Sequence, residues 1–330
     1  MRTIKTIAFT SVLALSVSCT PARQEGSILF RTADMQPETR SLLTATDIET
    51  KKTGITLAAY EAGSLVTSAY YTERLDAMTL NLERGVPYTV YALVNMGDLR
   101  SSLPVSEAGL GSLAYRIPSY TEGTASLAER GLPMAGKLDY AGGSAVIPVE
   151  RLLAKVTARL SCEWTGASIR EVRVCNLNCV LRPFGDGAAS GGKDILSEQE
   201  FQAGTGTDSG TFVFYVPENR QGTISGITAS AGKSPDKSDA VAAKKDRLTY
   251  LETVVDASGQ YKGSITYRSY LGRDVVSDFE IRRNAHYVWT VRDLEDGLHL
   301  DDWKHDNELM DPSGLDIDDG WDDGGESELH

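Results

Sequence analysis

Polar and apolar residues alternate without a break from Lys155 to Trp164. Lys155, Thr157, Arg159, Ser161 and Glu163 fall on one side, and Val156, Ala158, Leu160, Cys162 and Trp164 on the other. A period of two predicts a strand with one face in a core and one in water. A helix competes over the preceding residues, because Val149, Leu152, Leu153, Val156 and Leu160 recur at spacings of three and four. It fails because it puts Cys162 and Trp164 on opposing faces and leaves no clean apolar stripe. The Leu152–Leu153 pair reads as a bulge. Val149–Trp164 lies near the midpoint of the 330 residues and is taken as the first strand of a second domain.

The same pattern recurs on both sides of it. Before the junction, strands are predicted at Ser27–Thr32, Gly54–Tyr60, Ser64–Tyr71, Met78–Leu82, Tyr88–Asn95, Leu132–Tyr140 and Ser144–Pro148. Gly63, Gly85-Val86-Pro87 and Gly97-Asp98 punctuate them, Asp34–Lys52 is a polar stretch after the first, and only Ser106–Tyr115 offers a short helix. After the junction, strands are predicted at Ile169–Leu181, Gly210–Val216, Leu248–Asp256, Gly263–Tyr270, Ser277–Ile281 and His286–Arg292, with loops at Gly185–Thr207 and Ser234–Lys245. Runs of strands without intervening helices exclude a doubly wound sheet and predict an all-β chain of two tandem antiparallel sandwiches. Gly142-Gly143 and Pro148 set the boundary, giving an N-terminal domain over 27–147 and a C-terminal domain over 148–305.

The N-terminus belongs to neither domain. Arg2 and Lys5 precede the apolar run Ile7–Val17, too short to span a bilayer and suited to a secretory signal over 1–18. Small residues then precede Cys19, with Ser16 where the pattern favours leucine. This resembles the lipobox of bacterial lipoproteins, in which the cysteine is acylated and holds the protein to a membrane by buried methylenes. The alternative is an ordinary signal peptide with a chance cysteine. Residues 19–26 read as a tether. Cys162, Cys175 and Cys179 remain; Cys175 and Cys179, four apart in a predicted strand, share a face, and buried free thiols are expected of all three.

The formal charge of −13 is concentrated at the C-terminal end, where Asp293–His330 holds fifteen acidic residues against one lysine. The body is near neutral, with no basic patch for nucleic acid. The tail contains an echo: Gly297-Leu-His-Leu-Asp-Asp-Trp303 and Gly314-Leu-Asp-Ile-Asp-Asp-Gly-Trp321. Each is apolar at alternate positions and could add to a sheet edge, while a disordered acidic extension is the competing reading of 306–330. No metal or cofactor site is expected. His286, His299, His305 and His330 show no ligand spacing, Asp316–Glu326 departs from the calcium-loop pattern, and no nucleophile elbow or phosphate loop is found.

Several stretches together resemble the fimbrillin-like lipoproteins of Bacteroidetes, the FimA and Mfa group of type V pilus subunits. They are Thr89–Leu99 (TVYALVNMGDL), Leu132–Gly136 (LPMAG), Val149–Leu160, Tyr215–Gly222 (YVPENRQG), Leu248–Val254, Tyr270–Tyr287 and Asp301–Lys304 (DDWK), in the family's order from Ser27 to Lys304. The resemblance implies two transthyretin-like sandwiches, an outer-membrane lipoprotein acylated at Cys19, and assembly with other fimbrial subunits by strand exchange. It further implies that an arginine-specific protease cuts after the first strand. Arg40 is the best placed residue for the cut and Arg31 the second. Ile28, Leu29 and Phe30 would mark the displaced strand, and Leu298, Leu300 and Trp303 the terminal strand. The partners implied are other subunits, the membrane, and a ligand on a host or bacterial surface. The extension beyond Lys304 departs from the family pattern. Exchange requires Ser27–Thr32 to fill a removable slot over apolar side chains. A flap covering none, or a rung locked between two neighbours, would favour the alternative: a surface glycan-binding lipoprotein of a nutrient-uptake system, with a shallow groove and an exposed pair of aromatics.

Overall fold

A computed structural model describes residues 25–32, 47–117, 127, 129–142, 145–162, 165–196, 200–203, 206–258, 263–291, 308–309 and 314–318. Cys19, Arg40, Leu298, Leu300 and Trp303 lie outside them.

The first part of the chain forms β1 (Glu25–Thr32), β2 (Ile55–Glu61), β3 (Ser64–Tyr71), β4 (Met78–Glu83), β5 (Tyr88–Val94), β6 (Tyr115–Arg116), β7 (Met134–Tyr140), β8 (Ala145–Ile147) and β9 (Glu150–Arg151). A three-stranded sheet in the order β4-β1-β8 faces a five-stranded one in the order β3-β2-β5-β7-β9. Phe30, Met78, Leu80 and Ile147 from the smaller sheet meet Ile55, Leu57, Val90, Val94 and Met134 from the larger in one core. In β4 the alternation is strict, with Met78, Leu80 and Leu82 buried and Thr79 and Asn81 exposed. Strands β2 and β5 are buried almost throughout, because the outer face of their sheet is covered as well. Ala58, Tyr60, Tyr91 and Leu93 pack there against Leu110, in a short 3-10 segment where the brief helix was expected, against Leu113, which caps it, and against Leu152, Leu153 and Leu181 from farther along the chain.

The second part forms β10 (Leu153–Ser161), β11 (Ala167–Cys175), β12 (Val180–Leu181), β13 (Glu200–Ala203), β14 (Ser209–Pro217), β15 (Asn219–Thr223), β16 (Tyr250–Ala257), β17 (Gly263–Tyr270), β18 (Asp278–Ile281), β19 (His286–Val291), β20 (Glu308–Leu309) and β21 (Gly314–Asp318). A sheet in the order β14-β10-β19-β21 faces one in the order β13-β11-β16-β17-β20. Val156, Leu160, Phe214, Tyr287 and Trp289 meet Val172, Val174, Leu251, Val255 and Tyr267 between them. The all-β, two-sandwich architecture is as expected. Its sheets are not purely antiparallel: β8 runs parallel to β1, β19 to β10 and β20 to β17. Each of these neighbours arrives after a long excursion, as a parallel pairing requires.

The chain crosses between sandwiches at Leu152, since β9 still pairs with β7 while β10 opens the second unit. The expected bulge at Leu152–Leu153 is therefore a change of sheet. The expected common strand face for Cys175 and Cys179 is also corrected. Asn176 takes φ +57, which ends β11 at Cys175, and Cys179 instead turns to Arg116, whose guanidinium donates to its Sγ at 2.9 Å. Together with the β6–β12 pairing, this ties one sandwich to the other.

Cys162, Cys175 and Cys179 are buried free thiols. Burial, then Asp208, pushes Cys162 from an ordinary 9.0 up to about 11. Burial, then Glu252, pushes Cys175 up to about 12, and burial raises Cys179 although Arg116 opposes it. A thiol raised on folding contributes stability that is complete below its unfolded value and is lost as pH climbs through the folded one, here between pH 9 and 12. Only the thiolate reacts. In a chain beginning after Cys19, none of the three should be alkylated at about pH 8 until denaturant is added. Mass spectrometry showing a labelled native protein would refute that.

Candidate functional site

The expected exchange slot is the position held by the first strand. Strand β1 pairs with β4 antiparallel over six residues, Glu25↔Glu83 to Phe30↔Met78, and with β8 parallel over three, Phe30↔Ala145 to Thr32↔Ile147. Alternation places Phe30 inward at 0% exposure with Ile28 half-buried on the same side, while Leu29 is 38% exposed and Arg31 is exposed. Phe30 meets the ring of Tyr140 edge-on at 5.3 Å. The strand thus covers apolar side chains, as strand exchange demands. It is also the middle strand of its sheet, paired with β4 on one side and β8 on the other, which is the rung between two neighbours expected to speak against exchange. Vacating it would open two unsatisfied ladders, on β4 and β8, over a groove lined by Met78, Leu80, Leu82, Ala145 and Ile147.

Of the two arginines, Arg31 sits within this paired strand, opposite Val146, where a protease cannot engage an extended backbone without first opening the sheet. Arg40 lies outside the described residues, in the connection that follows β1.

That connection is anchored where it re-enters the fold. Asp47–Thr50 forms a single helical turn, and Glu49 on it is 1% exposed. Its Oε1 accepts from Lys155 Nζ at 3.0 Å and from the Tyr215 hydroxyl at 2.5 Å, both from the second sandwich. Its carbonyl oxygen accepts from Arg151 Nε at 3.2 Å, and Arg151 reaches Asn284 Oδ1 at 3.3 Å. Glu49 Oε2 has no hydrogen-bond partner. Lys155, expected on a wet face, is 2% exposed, and Thr157 is likewise buried, bonded through Oγ1 to His286 Nε2 at 2.9 Å. The period of β10 is right, but on the face opposite its core Lys155 is covered by the helical turn, while Arg159 stays exposed. Nothing in the polar run Asp34–Lys52 distinguishes Glu49 in the sequence.

At the far end, Gly314–Asp318, the second copy of the tail echo, pairs antiparallel with β19 from Thr290↔Gly314 to His286↔Asp318. This part of 306–330 is strand, on the chain's own sheet edge.

These features define a class: a two-sandwich β protein whose first strand is the middle rung of a three-stranded sheet and whose tail strand pairs at the edge of another. A domain family of unknown function, DUF4906, matches residues 214–291. No curated protein matches the sequence. Solved structures share the fold. A candidate cell adhesion protein of Bacteroides eggerthii aligns with 13% identity and a TM-score of 0.56, covering 89% of this chain and 94% of that one. A candidate cell adhesion protein of Parabacteroides distasonis gives 12%, 0.56, 91% and 98%. The tip fimbrial protein Mfa3 of Porphyromonas gingivalis, truncated at its C-terminus, gives 11%, 0.52, 82% and 96%.

Proposed function

We propose that this chain is a fimbrial or fimbria-associated subunit of a bacterial cell surface, non-enzymatic, that assembles with other subunits by strand exchange and serves adhesion. Supporting this is a likeness in fold that runs over most of both chains to a tip fimbrial protein and to candidate cell adhesion proteins. The observation that carries the mechanism is β1: a short amphipathic rung whose departure opens an apolar groove between two ladders.

A middle strand leaves less readily than an edge strand, because both ladders must break. It is also refilled more favourably, because an incoming strand regains both. Exchange at such a slot is nearly balanced in free energy and slow, so it needs a trigger. In this reading the trigger is a cut in the connection after β1, at Arg40 or secondarily Arg31, while Cys19 carries the lipid that holds the precursor at the outer membrane. The Glu49 anchor keeps the new end from pulling the sandwiches apart. The strand supplied to a neighbour comes from the tail, from the echo bearing Leu298, Leu300 and Trp303 or from that at 314–318.

Treating the signal-free chain with an arginine-specific protease should give a shift at Arg40 and then a ladder of polymers on a gel. Arg40→Ala should abolish both. Cleavage at Arg40 with the chain remaining monomeric would exclude strand exchange, and a tethered binding module would then account for the fold.

A further inference from the structure

The loop that leaves β15 and returns to β16 folds over one end of the outer face of the β16–β17 pair. Ile224, Val241 and Leu248 fix it there on Tyr270 and Phe279. Beneath it lies a pocket of about 320 Å³ lined by Asn176, Ser234, Asp236, Asp246, Tyr250 and Arg268, with Tyr270, Pro235 and Lys245 completing the wall. Tyr250 and Tyr270 stand directly opposite in the ladder, their rings 5.2 Å apart and tilted by 44°. The Arg268 guanidinium lies 5.3 Å from the Tyr250 ring, and its Nε donates to Glu252 at 2.9 Å. Asn176 donates its amide hydrogens to the carbonyls of Lys245 and Leu248, leaving Oδ1 as the atom it can offer.

We propose that this pocket binds a neutral sugar unit of a surface glycan. Asp236 and Asp246 line the pocket with Lys245, while Arg268 is already paired with Glu252, so the lining carries both signs with a small acidic excess and disfavours an anionic ligand. An apolar ligand would strand these polar groups. A polyhydroxylated ring suits the arrangement. Each hydroxyl both donates and accepts, which matches a lining of carboxylates, an ammonium and a guanidinium. The volume falls at the small end of ligand sites, enough for a terminal unit of a chain but not for an extended one. The larger cleft between the sandwiches, lined by Tyr91, Lys137, Phe184 and Arg283, is a poorer candidate. Arg283 is already committed there to Glu218 and to the carbonyls of Pro183 and Arg182. The pocket would supply the adhesive contact of the proposed fimbrial role, but its chemistry stands without that role, because binding by a monomer needs no polymer.

The purified full chain is applied to an array carrying neutral oligosaccharides with galactose, mannose, fucose or N-acetylhexosamine termini, beside sialylated and sulfated counterparts. Retention on one or more neutral glycans is expected, with the acidic counterparts bound less. Asp236→Ala combined with Asp246→Ala, both at exposed positions, should lower that binding about tenfold or more, the effect of losing one or two charged hydrogen bonds. The melting temperature should stay unchanged. Arg268→Gln should weaken binding in the same direction. Binding to no neutral glycan, preference for the acidic ones, or neutral-glycan binding indifferent to the double substitution each overturns the assignment. Because the array reads a monomer, failure there leaves the protease ladder as an independent test of assembly.

Discussion

Replacing Lys155 with alanine is expected to destabilise the protein by about 3–5 kcal/mol, far more than an exposed lysine would cost. The reason is geometric. Lys155 and Glu49 are 2% and 1% exposed and 3.0 Å apart, so neither charge can turn to water when the other is removed. Glu49 Oε2 already lacks a partner, and removing the ammonium would leave the carboxylate leaning on the Tyr215 hydroxyl at Oε1. Tyr215 and Lys155 both belong to the second sandwich and Glu49 to the turn that enters the first. The loss should therefore appear at the junction: two urea transitions where the parent shows one. Glu49→Leu with Lys155→Met removes both charges and should recover most of the loss, because an apolar pair of similar volume leaves no buried charge unpaired and only the half-buried Tyr215 hydroxyl loses its acceptor. Lys155→Ala unfolding within about 1 kcal/mol of the parent would mean that water reaches the site and the clamp is not a dry one.

Much of this architecture was legible in the chain, and what was not has physical causes. Period-two alternation reveals that a segment is a strand, so β1, β3, β4 and β17 could be placed within a residue or two. Alternation does not reveal what covers the second face. Lys155 reads as solvent-facing because the helical turn that covers it comes from a polar stretch a hundred residues earlier. Nor does it reveal neighbours: β1 is a middle strand because β4 and β8, far apart in the chain, converge on it. Strands β13 and β15 were hidden by composition. The first lies inside a Gly- and Ser-rich segment expected to be loop, and the second, Asn219–Thr223, is polar and gains its pairing from the short β18. The sugar-sized pocket was invisible for a related reason. Tyr250 and Tyr270 sit at the outer ends of two strands, and only the antiparallel register brings them opposite each other.

That same register logic makes Phe30 the residue on which the slot depends. Phe30→Ala should cost about 3–5 kcal/mol, because the ring is fully buried against Tyr140 and its removal leaves a cavity between two sheets that cannot close freely. Leu29→Ala, one position along on the exposed face, should cost under about 0.5 kcal/mol. The two substitutions separate two accounts of the first strand. If β1 is only part of a stable core, Phe30→Ala lowers the melting temperature and nothing else. If β1 is the strand that leaves, the same substitution loosens its seat without altering the incoming strand, which belongs to another molecule. After cleavage, the polymer ladder should then form faster, by about 100-fold or more if the loss falls wholly on release. Phe30→Leu, which fills much of the cavity, should fall between, so an effect due merely to unfolding would be exposed by a variant that stays folded. Polymerisation that is equally fast in the parent, Phe30→Leu and Leu29→Ala would show that departure of β1 does not control assembly, and the groove between β4 and β8 would then be a core and not a binding site.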